Sequence, residues 1–117
     1  MDNISVGISE NKGITLLSVR GIIDTTTVSE FEEKFLSVLD EKKFKLVVDL
    51  KEVNYISSAG WGIFISEIKR IRGQRGDLVL SGMVPEVLDV FDLLDFKVIF
   101  KSFPDAETAV KNGFKKP

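Results

Sequence analysis

Hydrophobic residues alternate with polar residues at the start of the chain and then change to a helical spacing. Alternation over residues 4–8, and an extended pattern over 14–19 after Gly13, predict two strands joined as a hairpin. Apolar residues then recur at steps of three and four: Val28, Phe31, Phe35, Val38 and Leu39. One stripe of this first helix should therefore face a core.

The start of the first helix has its own signal. Thr27-Val28-Ser29-Glu30 matches a capping box, in which the Thr hydroxyl and the Glu carboxylate pair with free backbone amides. The helix should begin at this point and end near residues 41–43.

Short apolar runs predict the remaining strands. They lie at residues 46–50, 78–80 and 98–100. The first of these runs is nearly continuous, which suits a strand in the middle of a sheet with both faces covered.

Helices are predicted between and after these strands. One should span residues 59–72, one should begin at Pro85, because the first turn accepts a residue without an amide hydrogen, and one should open at residues 104–107. The predicted core sides are Trp61, Phe64, Ile65, Ile68 and Ile71 in the second helix, and Val87, Val90, Phe91 and Leu94 in the third.

The resulting element order is ββαβαβαβα. Strands separated by helices predict an α/β fold with right-handed crossovers and a mixed, mostly parallel sheet, to which the first hairpin adds an antiparallel pair. A length of 117 residues fits one domain, residues 1–117.

Composition excludes several classes of function. The 16 Lys and Arg against 18 Asp and Glu leave a net charge of -2, so no electrostatic excess favours nucleic acid. The chain has no Cys and no His, which excludes thiolate or imidazole metal sites, disulfides and triads that need an imidazole base. We therefore expect a protein that is not an enzyme and has no cofactor or metal.

The same reading gives an expected location. No apolar run approaches the roughly 20 residues that cross a bilayer, and residues 1–5 lack the basic and apolar regions of a signal peptide. A cytoplasmic protein without a membrane partner is expected.

The most unusual segment is Ser57-Ser58-Ala59-Gly60-Trp61-Gly62, at the expected start of the second helix. Each glycine costs a helix about 0.8–1.0 kcal/mol relative to alanine, so another requirement favours them. In the structural interpretation a serine caps the helix and the glycines permit close packing. In the functional interpretation an exposed serine also accepts a phosphate, because the helix dipole favours an anion there.

The chain resembles the anti-sigma factor antagonists, small STAS-domain proteins of bacterial partner-switching systems, over nearly its whole length. The resemblance rests on the order of elements and on three segments: Gly-Ile-Ile-Asp at 21–24, Val-Val-Asp-Leu at 47–50 and Ser-Ser-Ala-Gly at 57–60. It implies that Ser58 is the hydroxyl residue phosphorylated by a cognate kinase, which is itself the anti-sigma factor. Ser57 stands where the family has Asp, and Ala59 where it has a second hydroxyl residue.

The resemblance also implies a mechanism. The unmodified protein would bind a serine-kinase anti-sigma factor of the GHKL type and so release a sigma factor; phosphorylation of Ser58 would weaken that complex, and a phosphatase would restore it. The expected partner surface comprises Asp24, Ser57, Ala59, Gly60, Gly62 and Ile63. Ile63 is included because it lies outside the apolar stripe of its helix, and the protein is expected to be a monomer or weak dimer.

Two alternatives carry other implications. In one, the chain is a STAS scaffold or subunit of a signalling or lipid-transport assembly, and Ser58 serves only as a cap. In the other, Asp49 and Lys101 belong to a receiver domain, but no acidic pair follows a first parallel strand, so Asp49 is interpreted as structural.

Overall fold

The protein is described by a computed structural model that covers residues 4–114. Its strands are β1 (Ile4–Asn11), β2 (Ile14–Gly21), β3 (Lys45–Glu52), β4 (Asp77–Ser81) and β5 (Lys101–Phe103). They form one sheet in the order β1-β2-β3-β4-β5, antiparallel between β1 and β2 and parallel elsewhere. The predicted hairpin and the central position of β3 are confirmed.

Four helices complete the predicted order ββαβαβαβα. They are α1 (Val28–Asp40), α2 (Ser58–Gly73), α3 (Pro85–Leu93) and α4 (Ala106–Asn112). Pro85 occupies the first turn of α3, as predicted.

The main core lies on one face of the sheet, under α1, α2 and α3. Phe31 and Phe35 of α1 meet Phe64 of α2 with ring centroids 5.6 and 5.8 Å apart. Burying a side chain of this size contributes roughly 1.5–3 kcal/mol, so the cluster fixes α2 against the sheet. A smaller cluster of Ile14, Val47, Val79 and Ala109 joins alternate residues of β2, β3 and β4 to α4.

The predicted core side of α2 is wrong at two positions. Ile65 is exposed, whereas Ile63, predicted to be exposed, is 6% accessible and packs in the main core. Gly60 explains the difference, because it is also buried and lies on the same side as Ile63. A glycine gives no hydrophobic signal. The periodicity therefore predicted a buried side that included Ile65 and left out Ile63.

The predicted core side of α3 is also partly wrong. Val87 and Phe91 are buried, but Val90 and Leu94 are exposed. The helix ends at Leu93, so the helical spacing no longer applies to Leu94.

The last strand is shifted along the chain. Residues 98–100 were predicted as a strand, but Phe96–Val98 form a 3₁₀ turn and β5 begins at Lys101. The amides of Ile99 and Phe100 both donate to the carbonyl oxygen of Phe96, at 2.9 Å each. The apolar run therefore serves burial of the Phe100 side chain rather than sheet pairing.

No helix within residues 4–114 is long and apolar enough to cross a membrane. The expectation that residues 1–5 are not part of a signal peptide rests in part on residues 1–3, which lie outside the described residues. Residues 115–117, at the other predicted end of the domain, also lie outside them.

Candidate functional site

Two loops meet at the carboxyl ends of β2 and β3. Ile23 and Ile56 form a parallel bridge: the Ile23 amide donates to the Tyr55 carbonyl oxygen at 3.0 Å, and the Ser57 amide donates to the Ile23 carbonyl oxygen at 2.7 Å. Ile23 is fully buried and Ile56 is 7% accessible. The bridge therefore places the residue after Ile23, Asp24, beside the start of α2.

The Asp24 carboxylate organises its own loop. Its Oδ1 accepts hydrogen bonds from the Thr26 hydroxyl at 2.7 Å, the Thr26 amide at 2.8 Å and the Thr27 amide at 3.2 Å. These bonds, first the one from the Thr26 hydroxyl, lower the pKa of Asp24. The group therefore stays ionised at neutral pH, and its Oδ2 has no hydrogen-bond partner among residues 4–114.

The predicted capping box at Thr27 is wrong, although α1 does begin at Val28. Thr27 makes no side-chain cap hydrogen bond. Its hydroxyl instead donates to the Ile22 carbonyl oxygen at 2.6 Å and accepts from the Asp24 amide at 3.0 Å. To cap α1, the Thr27 hydroxyl would have to turn toward the helix. It closes the Asp24 loop instead.

Ser57 is the N-cap of α2. Its backbone is extended, with φ -73° and ψ 167°, and its Oγ accepts from the Gly60 amide at 3.2 Å. The side chain is 7% accessible and so faces the helix rather than solvent. Asp and Ser are both strong N-caps, so Ser57 can do the capping that the family Asp would do at this position.

Ser58 is the first residue of α2 and is exposed. The amides of Ser58 and Ala59 donate to no acceptor among residues 4–114. Residues 58–66 carry no charged side chain. The free amides and the helix dipole favour negative charge at this hydroxyl, while the nearest ionised group that the bridge brings to this side is Asp24 of the neighbouring loop.

The two glycines of this segment have different surroundings. A Cβ at Gly60 would lie 2.8 Å from the Cγ2 atoms of both Ile23 and Ile56, closer than side chains tolerate. A Cβ at Gly62 would meet nothing within 4 Å. Gly60 is thus required for α2 to lie against the bridge, whereas nothing in the fold requires Gly62.

The structure divides the predicted partner residues into two groups. Asp24, Ser58, Ala59 and Gly62 are at least partly accessible. Ser57, Gly60 and Ile63 are buried, so they can support a surface but present little area to a partner.

Sequence reasoning missed the residues that hold the site together. Thr26 and Thr27 fix the Asp24 carboxylate and the loop, and the Ile23–Ile56 bridge joins the two loops. The Asp-Thr-Thr order of residues 24–26 is a signal for the first feature, since Asp side chains often bond to the amide two residues on.

Asp49 has a structural place, as the sequence analysis interpreted it. It is 5% accessible and its Oδ1 accepts from the Lys51 amide at 3.3 Å. Within the part of the chain that the structure describes, no group of three or more acidic side chains could hold a metal ion.

Comparison with known proteins gives the same picture. A profile of the STAS domain matches residues 5–109. The anti-sigma-B factor antagonist of Bacillus subtilis is 28% identical over 109 residues, which cover 93% of this chain and 99% of that protein.

Solved structures agree on the fold. An anti-sigma factor antagonist from Mycobacterium paratuberculosis superposes with a TM-score of 0.85 at 22% identity, covering 93% of this chain and 92% of that one. The Bacillus cell fate determinant SpoIIAA in its phosphorylated form gives a TM-score of 0.70 at 13% identity, covering 93% and 99%.

The chain is a small α/β domain with two loops paired at one edge of its sheet. The chain belongs to the STAS domain family, in the group of the anti-sigma factor antagonists. Proteins of this group are regulatory binding proteins and not enzymes.

Proposed function

We propose that this protein is a cytoplasmic anti-sigma factor antagonist whose binding is controlled by phosphorylation of Ser58. Unmodified, it binds a GHKL-type serine-kinase anti-sigma factor, which then releases its sigma factor. The kinase phosphorylates Ser58 and the complex dissociates; a phosphatase restores the binding form.

The observation that carries this proposal is the position of Ser58. Its hydroxyl is exposed at the first position of α2, and the capping of the helix is done by Ser57. Since Ser58 is not needed as the cap, its modification would leave the N-terminal hydrogen bond of α2 intact. A kinase can therefore reach this residue without unfolding the helix.

The partly exposed Asp24 gives the proposal a second support. The bridge between Ile23 and Ile56 puts the loop of Asp24 beside the loop that leads into α2. The loop presents the free Oδ2 atom, which can accept from a cationic side chain of the partner. Asp24, Ala59 and Gly62 would thus form the contact surface around Ser58, supported from below by Ser57, Gly60 and Ile63.

The charge of a phosphate at Ser58 is large enough to weaken the complex substantially. It adds about 1.5 to 2 negative charges at pH 7, in a region where residues 58–66 are uncharged. A tenfold loss of affinity requires only about 1.4 kcal/mol. Burying an unpaired charge in an interface costs more than that, so the mark can end binding without a change of fold.

The test is to incubate the protein with each purified GHKL-type anti-sigma kinase of its source organism and ATP, and to measure intact and peptide mass. We expect one phosphate on Ser58 and none on the Ser58→Ala variant. Kinase binding should persist in Ser58→Ala and fall at least tenfold in Ser58→Asp.

Ser37→Asp is the matched control, since Ser37 is an exposed serine on α1 and the variant adds the same charge. It should bind the kinase like the unmodified protein. If Ser58→Asp binds equally well and no phosphate appears, Ser58 is only part of a helix start. The protein would then be a STAS scaffold or a subunit of a signalling or lipid-transport assembly.

A further inference from the structure

An exposed apolar patch covers the end of α3 and the 3₁₀ turn that follows it. Leu93 is 82% accessible, Val98 73% and Leu94 54%. Leu88 and Val90 of the same helix are also exposed. Single exposed apolar residues are ordinary, but Leu93, Leu94 and Val98 lie within six positions and are each more than half exposed, as in the patches that mark interaction sites.

Four acidic residues lie in the same segment as the patch. Glu86, Asp89, Asp92 and Asp95 lie within residues 85–98, and Lys97 is the one basic residue in that range. None of the four acidic side chains forms an ion pair with any residue of the range 4–114. The segment therefore combines exposed apolar side chains with four exposed carboxylates, here called the acidic rim, against one lysine.

The apolar side chains and the acidic residues together indicate which kind of partner can bind the patch. A second copy of the chain would bring four more carboxylates against the first four, and like charges at an interface oppose association. An anionic membrane surface or a nucleic acid would be repelled in the same way. A protein surface that has basic side chains around an apolar pocket is complementary in both respects.

The segment that carries the patch packs against the helix that begins at Ser58. Trp61, which follows Ser58 by three residues and so lies one turn along α2, packs against Phe96 with a centroid distance of 4.9 Å and against Phe91 with 6.1 Å. Trp61 is buried and thus joins α2 to the segment that carries the patch. One partner could cover both surfaces.

We infer that the patch of Leu93, Leu94 and Val98 with its acidic rim is a second docking surface for the anti-sigma kinase, and that it receives an apolar, basic surface of that partner. This inference rests on the proposed function and extends it. Phosphorylation at Ser58 would then remove one part of the interface, while the patch supplies affinity that does not depend on the phosphate.

The experiment measures kinase binding by surface plasmon resonance for the double variant Leu93→Ser/Leu94→Ser. The matched control is Ile8→Ser, which removes an exposed apolar side chain from β1, a strand at the other side of the sheet. We expect the dissociation constant of the double variant to rise at least tenfold, because it removes the two adjacent apolar side chains of the proposed contact, and that of the control to stay within twofold. Circular dichroism and urea unfolding verify that both variants are folded.

A second pair of variants tests the acidic rim. Asp89→Lys/Asp92→Lys should slow association several-fold at low salt, whereas Glu32→Lys/Glu33→Lys, with the same change of net charge on α1, should not. Equal association rates for the two pairs would contradict the choice of a basic partner.

The outcomes separate this inference from the proposed function. If the unmodified protein binds the kinase, Ser58→Asp weakens binding at least tenfold, and Leu93→Ser/Leu94→Ser binds normally, the function stands and the docking surface is refuted. If no kinase binds the unmodified protein, both fail. If sedimentation velocity shows a dimer of the protein alone that the double variant dissolves, the occupant is a second copy and the inference is wrong.

Discussion

Replacement of Gly60 by alanine tests the way the two loops are held together. In an ordinary helix this change stabilises, because alanine is favoured over glycine by about 0.8–1.0 kcal/mol. At this position the new Cβ would lie 2.8 Å from the Cγ2 atoms of Ile23 and Ile56. Both are branched at Cβ, so neither methyl group can move without its backbone or an unfavourable rotamer.

The expected magnitude follows from these two opposing terms. Overpacking of a close contact typically costs 1–3 kcal/mol, from which the helix gain is subtracted. Gly60→Ala should therefore change the free energy of unfolding by about 0 to -2 kcal/mol. Gly62→Ala, where a Cβ meets nothing within 4 Å, should gain the helix term alone, about 0.8–1.0 kcal/mol.

The two variants are measured together by urea unfolding followed by circular dichroism. Gly62→Ala should be more stable than Gly60→Ala by about 1–3 kcal/mol. The two variants should then unfold at different midpoint urea concentrations, with the same dependence of the unfolding free energy on urea. If Gly60→Ala is as stable as Gly62→Ala, the helix does not need this close approach and the packing argument is refuted. A changed slope would instead indicate that a state other than the folded one is affected.

Two further changes probe the hydrogen bonds of the site. Ser57→Ala should destabilise the protein by about 1 kcal/mol, because the N-cap of α2 is lost, whereas Ser57→Asp should keep most of the stability that the cap provides. Thermal unfolding measures both variants against the unmodified protein. Equal stability of all three proteins would show that the cap contributes nothing. Thr26→Ala should raise the pKa of Asp24 toward its ordinary value, because the hydroxyl bond is the largest cause of its lowering. A carboxylate whose pKa is lower in the folded state stabilises the protein above its unfolded pKa, and this stabilisation is lost as the pH falls through the folded pKa. The stabilisation by Asp24 should therefore be smaller in Thr26→Ala. An unchanged titration of the Asp24 carboxyl in nuclear magnetic resonance spectra would contradict the role given to the Thr26 hydroxyl.

The sequence was sufficient for the fold wherever one physical requirement decided the pattern. The strands β3 and β4 lie inside the sheet, and the short apolar runs at residues 46–50 and 78–80 match their burial on both faces. Pro85 starts α3 because its missing amide hydrogen costs nothing in the first turn. Errors appear where two requirements compete, as in residues 98–100, where burial of Phe100 and sheet pairing give the same apolar signal.

The error in the core side of α2 has a comparable cause. Gly60, Ile63 and Phe64, followed by Ile68 and Ile71, form the buried side at a regular helical spacing. Hydrophobicity alone cannot count Gly60, whose contribution is the absence of a side chain where Ile23 and Ile56 approach. The partner of this contact lies in another loop, so no local pattern contains it.

The candidate site depends on the same kind of non-local information. The family resemblance led us to expect Asp24 and Ser58 on one surface, but the bridge that brings their two loops together links residues 23 and 56 and leaves no signal in either segment. Ser57 shows why the exact residue can vary: the helix start needs a side-chain oxygen that accepts from the Gly60 amide, and serine supplies one as well as aspartate does. The physical constraint at this position is thus on the acceptor atom. A negative charge at residue 57 is not required for the cap.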